Sequence, residues 1–362
     1  MRAITVTSTG GPDVLTPAAV ADPQPGPGQL LVRVRAAGVN FIDTYFRGGL
    51  YPISVPYIPG SEGAGEVIAV GPDVPADRIG QRVAWCDAPG SYAELVVVGA
   101  DRAVRVPDDV SDEVAGSSLL RGLTAHYLLD PSTGPRADGS YADGPQSDGV
   151  QSGGCQSDGT RSARRSPVPV AELNGLRAGD AILLHAGAGG VGLILTQLAA
   201  AQGLRVITTV STDDKEALSR QAGADQVLRY DEDVPGRVRE LTDGIGVPIV
   251  YDGVGRSTFE QSLMSTAVRG RVVLYGAASG PVPPFDLQRL NPLGSLSVTR
   301  PTLADFIADP AEFAWRAGDY LGAVAAGRVQ VRVGQRYRLA EAVQAHRDLE
   351  GRRTSGTTVL IP

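Results

Sequence analysis

From residue 1 to about residue 120, apolar and polar residues alternate in short runs, beginning with Met1-Arg2-Ala3-Ile4-Thr5-Val6. The runs are broken by Gly10-Gly11-Pro12, Pro25-Gly26-Pro27-Gly28, Pro59-Gly60 and Pro89-Gly90. Period-two alternation cut by Gly and Pro predicts antiparallel strands joined by turns. After Leu176 the pattern changes. Apolar runs at 181–185, 205–210, 249–252 and 271–275 alternate with amphipathic stretches such as 191–202 and 214–222. That alternation predicts βαβ units and a parallel sheet. The tail from about residue 302 reads as helices ending in a strand at 357–361, which is free to rejoin the first region. The expected layout is a β-rich domain from 1–125 and 302–362, with a doubly wound α/β domain over 126–301.

Residues 133–166 follow neither period. They hold one valine, one tyrosine and no other large apolar residue, and glycine recurs at every fifth position from Gly134 to Gly159. Such a polar repeat buries too little surface to offset its ordering entropy, so it is read as a disordered insertion. Residues 181–204 carry no charge and match a membrane span in length, but five glycines, two glutamines and a histidine interrupt them. A strand, a glycine turn and a buried helix account for that stretch better than a span does.

The net charge of −7 disfavours attraction to nucleic acid or an anionic membrane surface. Two cysteines and three histidines are too few for a disulfide framework or a dedicated zinc cluster, and a cytoplasmic protein with reduced thiols is expected. The N-terminus lacks the apolar core of a signal peptide. His126 and His185 lie in apolar runs and read as core residues, whereas His346 reads as an exposed helix residue.

The run 181–185 leads directly into Gly187-Ala188-Gly189-Gly190-Val191-Gly192, followed by a helical stretch. Gly187, Gly189 and Gly192 thus have G-x-G-x-x-G spacing in a strand-turn-helix context. The motif uses its glycines for a tight turn, for close approach of a pyrophosphate and for close helix packing. The strand at 205–210 then ends in Val210-Ser211-Thr212-Asp213-Asp214-Lys215, without the acidic residue at the strand end that usually binds an NAD ribose. Ser211, Thr212 and Lys215 could cradle a 2′-phosphate, which favours NADPH. A helix cap from Ser211 to Asp214 is the alternative, and both can hold at once. Lys215 is the only lysine in the chain.

With these residues in place, the chain resembles the zinc-free quinone oxidoreductases of the medium-chain dehydrogenase/reductase superfamily. The resemblance rests on Gly38-Val39-Asn40-Phe41-Ile42-Asp43-Thr44-Tyr45, Gly49-Leu50-Tyr51-Pro52, Leu120 with Gly122-Leu123-Thr124, and the glycine turn. Val250-Tyr251-Asp252-Gly253-Val254-Gly255, Val298-Thr299-Arg300-Pro301 and Leu360-Ile361-Pro362 complete it. It implies an α/β fold with a β-rich GroES-like catalytic domain and a Rossmann domain. Zinc-dependent members of the superfamily carry ligands at the positions of Asn40 and Ser61, where this chain has none. The implied chemistry is therefore metal-free hydride transfer from NADPH to a quinone or enone.

The resemblance also implies site residues. Phe41, Ile42, Asp43, Thr44, Tyr45 and Thr124 would line the nicotinamide end, and Gly187, Gly189, Gly190, Val191 and Gly192 would form the pyrophosphate turn. Ser211, Thr212, Lys215 and Tyr230 would surround the 2′-phosphate, with Gly253, Tyr275, Ala277, Thr302, Leu303 and Arg352 completing the contacts. Asn40 and Tyr45 are the candidates for orienting or protonating the acceptor, and Arg300 for holding that wall. A homodimer through the Rossmann sheet edge is implied as well. An enoyl-thioester reductase, or a cofactor-binding RNA-binding or structural protein without turnover, remains an alternative.

Overall fold

The structure, a computed structural model, describes residues 1–129 and 176–362. The expected disorder of 133–166 concerns residues outside these. Near the N-terminus β1 (Arg2–Thr5) pairs antiparallel with β2 (Thr16–Ala19). Next come β3 (Gln29–Gly38), helix α1 (Phe41–Arg47), β4 (Glu62–Val70), β5 (Arg82–Cys86), β6 (Leu95–Gly99) and β7 (Ala103–Arg105). β3 shows why strands form here: Val32 and Val34 are buried while Arg33 and Arg35 face water.

Helix α2 (Asp112–Leu129) follows, where the sequence pattern predicts strands up to about residue 120. The small residues Ala115-Gly116-Ser117-Ser118 imitate a turn in sequence. In the fold they let the helix lie close on the sheet, so close that a Cβ on Gly116 would stand 2.6 Å from the Ala36 carbonyl. The Ser117 and Ser118 hydroxyls donate to the carbonyls of Glu113 (2.7 Å) and Val114 (2.6 Å), which removes their polarity from the contact. The Ser111 hydroxyl accepts the Val114 N–H, and Asp112 and Glu113 favour the positive helix start.

The second lobe alternates β8 (Ala181–Leu184), α3 (Gly190–Ala201), β9 (Arg205–Val210), α4 (Asp213–Gln221), β10 (Gln226–Arg229) and α5 (Val234–Glu240). It continues with β11 (Val247–Asp252), α6 (Phe259–Ser265), β12 (Thr266–Leu274) and β13 (Ser297–Thr299). The strands form a parallel sheet in the order β10-β9-β8-β11-β12-β13. This is the doubly wound order, whose crossover between β8 and β11 opens a crevice at the carboxyl ends of the strands.

The chain then runs through α7 (Leu303–Phe306), α8 (Pro310–Ala325), β14 (Val333–Arg338), α9 (Ala342–Glu350) and β15 (Thr357–Ile361). β15 pairs antiparallel with β3 and parallel with β14, within a sheet ordered β14-β15-β3-β4-β5-β7. α2 joins the lobes: its Leu119, Leu123 and Leu128 share one apolar core with Ala64 and Ala84 on one side and Ile182, Leu184 and Ile249 on the other.

His346, read from sequence as exposed, is fully buried on α9. Its Nδ1 lies 2.9 Å from the Arg47 guanidinium and its Nε2 3.0 Å from the Tyr92 hydroxyl. Arginine only donates, so Nδ1 accepts and Nε2 carries the proton. Burial, with Arg47 beside it, pushes the His346 pKa down to about 3. The helical period alone could not show that the polar face of α9 turns onto a second polar group.

Two glycines test the packing of α2 against α8. A Cβ on Gly122 would stand 2.3 Å from the Tyr320 ring, whereas one on the exposed Gly318 would meet nothing within 4 Å. Gly122→Ala should lower the unfolding free energy by about 1–3 kcal/mol. Gly318→Ala should raise it by about 0.5–1 kcal/mol, since alanine is the better helix former. Urea midpoints of the two variants check both signs.

Candidate functional site

The crevice between the lobes encloses about 410 Å³. Asn40, Phe41, Ile42 and Tyr45 line one wall, and Gly189, Gly190, Val191 and Gly192 line the other. Thr124, Gly253, Tyr275, Arg300, Thr302 and Leu303 also face it. The structure therefore brings most of the expected residues to one cleft.

Others stand back from it. Gly187 packs on β9, where a Cβ would lie 2.5 Å from the Thr208 side chain. The Thr44 hydroxyl is turned onto the Phe41 carbonyl at 2.7 Å. Asp43 is buried behind α1, accepting from the Asn40 N–H (2.8 Å), the Ser61 hydroxyl (2.7 Å) and the Tyr92 hydroxyl (3.2 Å), and burial pushes its pKa up. Its contribution is to cap α1 and fix the backbone of Phe41 and Ile42.

The glycine turn is held from two sides. Ala186 adopts a left-handed φ of 58°, and its N–H donates to the Tyr230 hydroxyl at 2.9 Å. A Cβ on Gly192 would fall 2.2 Å from the Ala186 carbonyl, and one on Gly190 would fall 2.4 Å from Arg121 Cδ. These close approaches explain the glycines as packing positions, and the N-terminal turn of α3, the positive end of its dipole, lines the cleft.

Sequence reasoning missed the pair behind this wall. Arg121 donates to the Glu62 carboxylate at 3.1 Å and to the carbonyls of Ser117 and Val39. Glu62, fully buried, also accepts from Asn40 Nδ2 (2.7 Å) and the Leu120 N–H (2.8 Å). Burial pushes the Glu62 pKa up to about 7 against these three donors. The available signal was a lone acid in the small-residue run Gly60-Ser61-Glu62-Gly63-Ala64-Gly65 and a lone arginine among apolar helix residues. Charges in such settings are kept only when paired.

Two hydrogen bonds cross the cleft. The Ala277 N–H donates to the Tyr45 hydroxyl at 3.1 Å, and the Arg300 guanidinium reaches the Tyr51 hydroxyl at 3.4 Å. Tyr51 meets Tyr45 edge-on, with ring centres 5.4 Å apart. Burial pushes the Tyr45 pKa up to about 12, so its hydroxyl keeps its proton through neutral pH.

Beyond the glycine turn, Lys215 Nζ donates to the Arg352 carbonyl at 2.8 Å. Thr212, not Ser211, caps α4, its Oγ1 accepting the Lys215 N–H at 3.3 Å. The extended backbone at Thr212 sets the cap one residue later than the Ser211–Asp214 spacing suggests. Asp213 turns aside to Arg229 at 3.3 Å, and Ser211 is exposed beside the group. Burial and neighbouring Arg352 lower the Lys215 pKa. Among the described residues, no cluster of His, Cys, Asp and Glu is arranged to hold a metal.

A doubly wound lobe with this turn, facing a β-rich lobe across the cleft, defines a two-domain dinucleotide-binding oxidoreductase. Residues 26–108 match the alcohol dehydrogenase GroES-like domain and 190–316 the zinc-binding dehydrogenase family. The chain is 42% identical to a quinone oxidoreductase of Pseudomonas aeruginosa, covering 98% of this chain and 97% of that one. It is 34% identical to a 2-haloacrylate reductase of a Burkholderia species over 100% and 99% of the two chains. A mycobacterial structure solved in complex with NADPH superposes with a TM-score of 0.85 at 49% identity, over the full length of both. The chain belongs to the quinone oxidoreductase family of the medium-chain dehydrogenase/reductases.

Glu62 gives the site a pH signature. A carboxyl whose pKa rises on folding binds its proton more tightly in the native state, so stability falls as pH rises from about 4.5 to about 7 and levels off above. Glu62→Gln should lose this component: the difference in thermal midpoint between wild type and variant should shift across that window and stay constant above pH 8. A difference independent of pH would mean that Glu62 remains ionised throughout.

Proposed function

We propose that the chain reduces quinones and related conjugated carbonyls using NADPH. The observation that carries this is the joining of two features in one cleft: an open glycine turn, and an aromatic wall with a protonated tyrosine. The residues fit the cofactor. Gly189, Gly190 and Val191, which line the cleft at the start of α3, would hold the pyrophosphate. Lys215, Thr212 and Arg352, with Ser211 and Tyr230 nearby, would hold the 2′-phosphate. Thr124, Phe41, Ile42, Thr302 and Leu303 would frame the nicotinamide, with Gly253, Tyr275 and Ala277 on the Rossmann side.

Bound NADPH supplies a hydride. The protein aligns the acceptor against it, and positioning alone contributes strongly to rate. Asn40, held by Glu62, orients the acceptor oxygen, and Tyr45 donates a proton where the product oxygen or carbon needs one. Arg300 steadies Tyr51 and with it the aromatic wall. Asn40 Nδ2 donates to Glu62 and the Ser61 hydroxyl to Asp43, which leaves the second Asn40 N–H for the acceptor.

The NADPH-bound mycobacterial structure and the quinone-reducing relative support this reading. No helix among the described residues is long and apolar enough to cross a membrane, which fits a cytoplasmic enzyme. β13 has one neighbour in its sheet, and its unpaired edge suits a homodimer built by edge pairing.

Lys215→Ala should weaken NADPH binding about 10- to 150-fold while leaving NADH binding nearly unchanged, and Lys215→Arg should recover part of the loss. Calorimetric titration of both cofactors decides it; equal weakening of the two would assign Lys215 to helix capping alone.

Tyr45→Phe should slow an enone, whose enolate needs a proton, more than a quinone, whose reduced oxygens take protons from solvent. Steady-state rates on 2-cyclohexenone and 1,4-benzoquinone make the comparison. Equal losses would limit Tyr45 to its bond with Ala277.

A further inference from the structure

Three charged side chains face the cleft, and they differ in how far their charge is met. Arg121 is neutralised by Glu62. Asp87 sits where the cleft adjoins a small cavity behind α1 lined by Asp43, Tyr57 and Ser61. Arg300 stands at the other side, next to Tyr51 and Pro301, and is exposed. It donates to the Pro301 carbonyl at 3.1 Å and, weakly, to the Tyr51 hydroxyl at 3.4 Å, and no carboxylate among the described residues pairs with it. The guanidinium carries five N–H groups in a planar fork, so most of its donors and its whole charge remain unspent.

Aromatic rings flank it. Tyr51 packs edge-on against both Tyr45 and Phe46, with ring centres 5.4 and 5.8 Å away, and its hydroxyl holds one arm of the fork. Tyr45 and Tyr127 both lie close enough to feel the Arg300 charge. A planar acceptor lying along the aromatic wall would therefore present its outer edge to a cation that no carboxylate among the described residues pairs with.

From this we infer that Arg300 is a specificity-determining residue that selects conjugated acceptors bearing an anionic substituent, a carboxylate or sulfonate on the quinone or alkene. The inference rests on the reductase reading above and narrows its substrate class. A guanidinium fork matches the two oxygens of such a group, and a charge-assisted pair exceeds a neutral hydrogen bond in strength. Solvent at the cleft mouth reduces the gain relative to a buried pair. The asymmetry with Asp87 sets the direction, with the anionic end of the acceptor toward Arg300 and its uncharged end toward α1.

The test compares 1,4-naphthoquinone with 1,4-naphthoquinone-2-sulfonate in wild type, Arg300→Gln and Arg300→Lys. Any general loss of rate falls on both acceptors, so the readout is the ratio of their kcat/KM values. That ratio should drop roughly 5- to 30-fold in Arg300→Gln, mainly through KM, and be largely kept in Arg300→Lys. Added salt should shrink it in wild type and leave it unchanged in Arg300→Gln. A ratio within twofold of wild type in Arg300→Gln overturns the inference and leaves the reductase reading standing. Absence of turnover with both quinones in wild type overturns the reductase reading instead. Calorimetry of the NADP⁺-loaded protein with the sulfonate then decides the anion site by itself: binding must weaken in Arg300→Gln, and equal affinity sinks it.

Discussion

The walls of the cleft are tied together by one buried pair, Glu62 and Arg121. Glu62 and Arg121 are both withdrawn from water, and their charges are tolerable only because each meets the other and nearly every remaining polar valence is filled from the backbone or Asn40. Arg121 comes from the helix shared by both lobes, Glu62 from the first strand after α1, and Asn40 from the start of α1 itself. The pair thus fixes the distance between α2, β4 and α1, and Arg121 then presses against the first turn of α3 where only a glycine fits. A single contact so relates the aromatic wall of the cleft to the glycine turn.

A second polar chain lies behind the first and serves a different end. Arg47, His346, Tyr92 and Asp43 pass hydrogen bonds from α9 to α1 through the core of the β-rich lobe. Arg47 donates in addition to the Gly10 carbonyl and the Glu350 carboxylate, which ties α1 to α9 at more than one point. Phe41, Ile42 and Tyr45 therefore project into the cleft from a helix anchored on its far side by α9, an element from the other end of the sequence.

The parts of this arrangement visible in the sequence are those governed by local rules. The glycine turn and the strand before it follow from spacing, and the alternation after Leu176 gives the parallel sheet. The resemblance carried by Asn40 to Tyr45 and by Arg300 pointed to the opposite wall. What escaped was set by long-range partners. α2 was hidden because its small residues read as a turn until a sheet is placed under them. His346 looked like a surface residue because its partner, Tyr92, is far away in sequence, and Glu62 and Arg121 are likewise brought together from different elements. The cap at Thr212 instead of Ser211 is a local detail that backbone geometry decides after strand β9 has been fixed.

The position of β15 has a consequence for biosynthesis. This strand lies inside the β-rich sheet, between β14 and β3, although β3 is made early and β15 near the end of the sequence. While the ribosome is still translating the Rossmann lobe, the early strands lack this neighbour, and the groups of β3 that will bond to β15 stay open. The parallel lobe, contiguous apart from the helix that it shares, has all its strands first. Pairing across so long a loop is entropically slow, so completion of the β-rich lobe is a late event for the nascent chain.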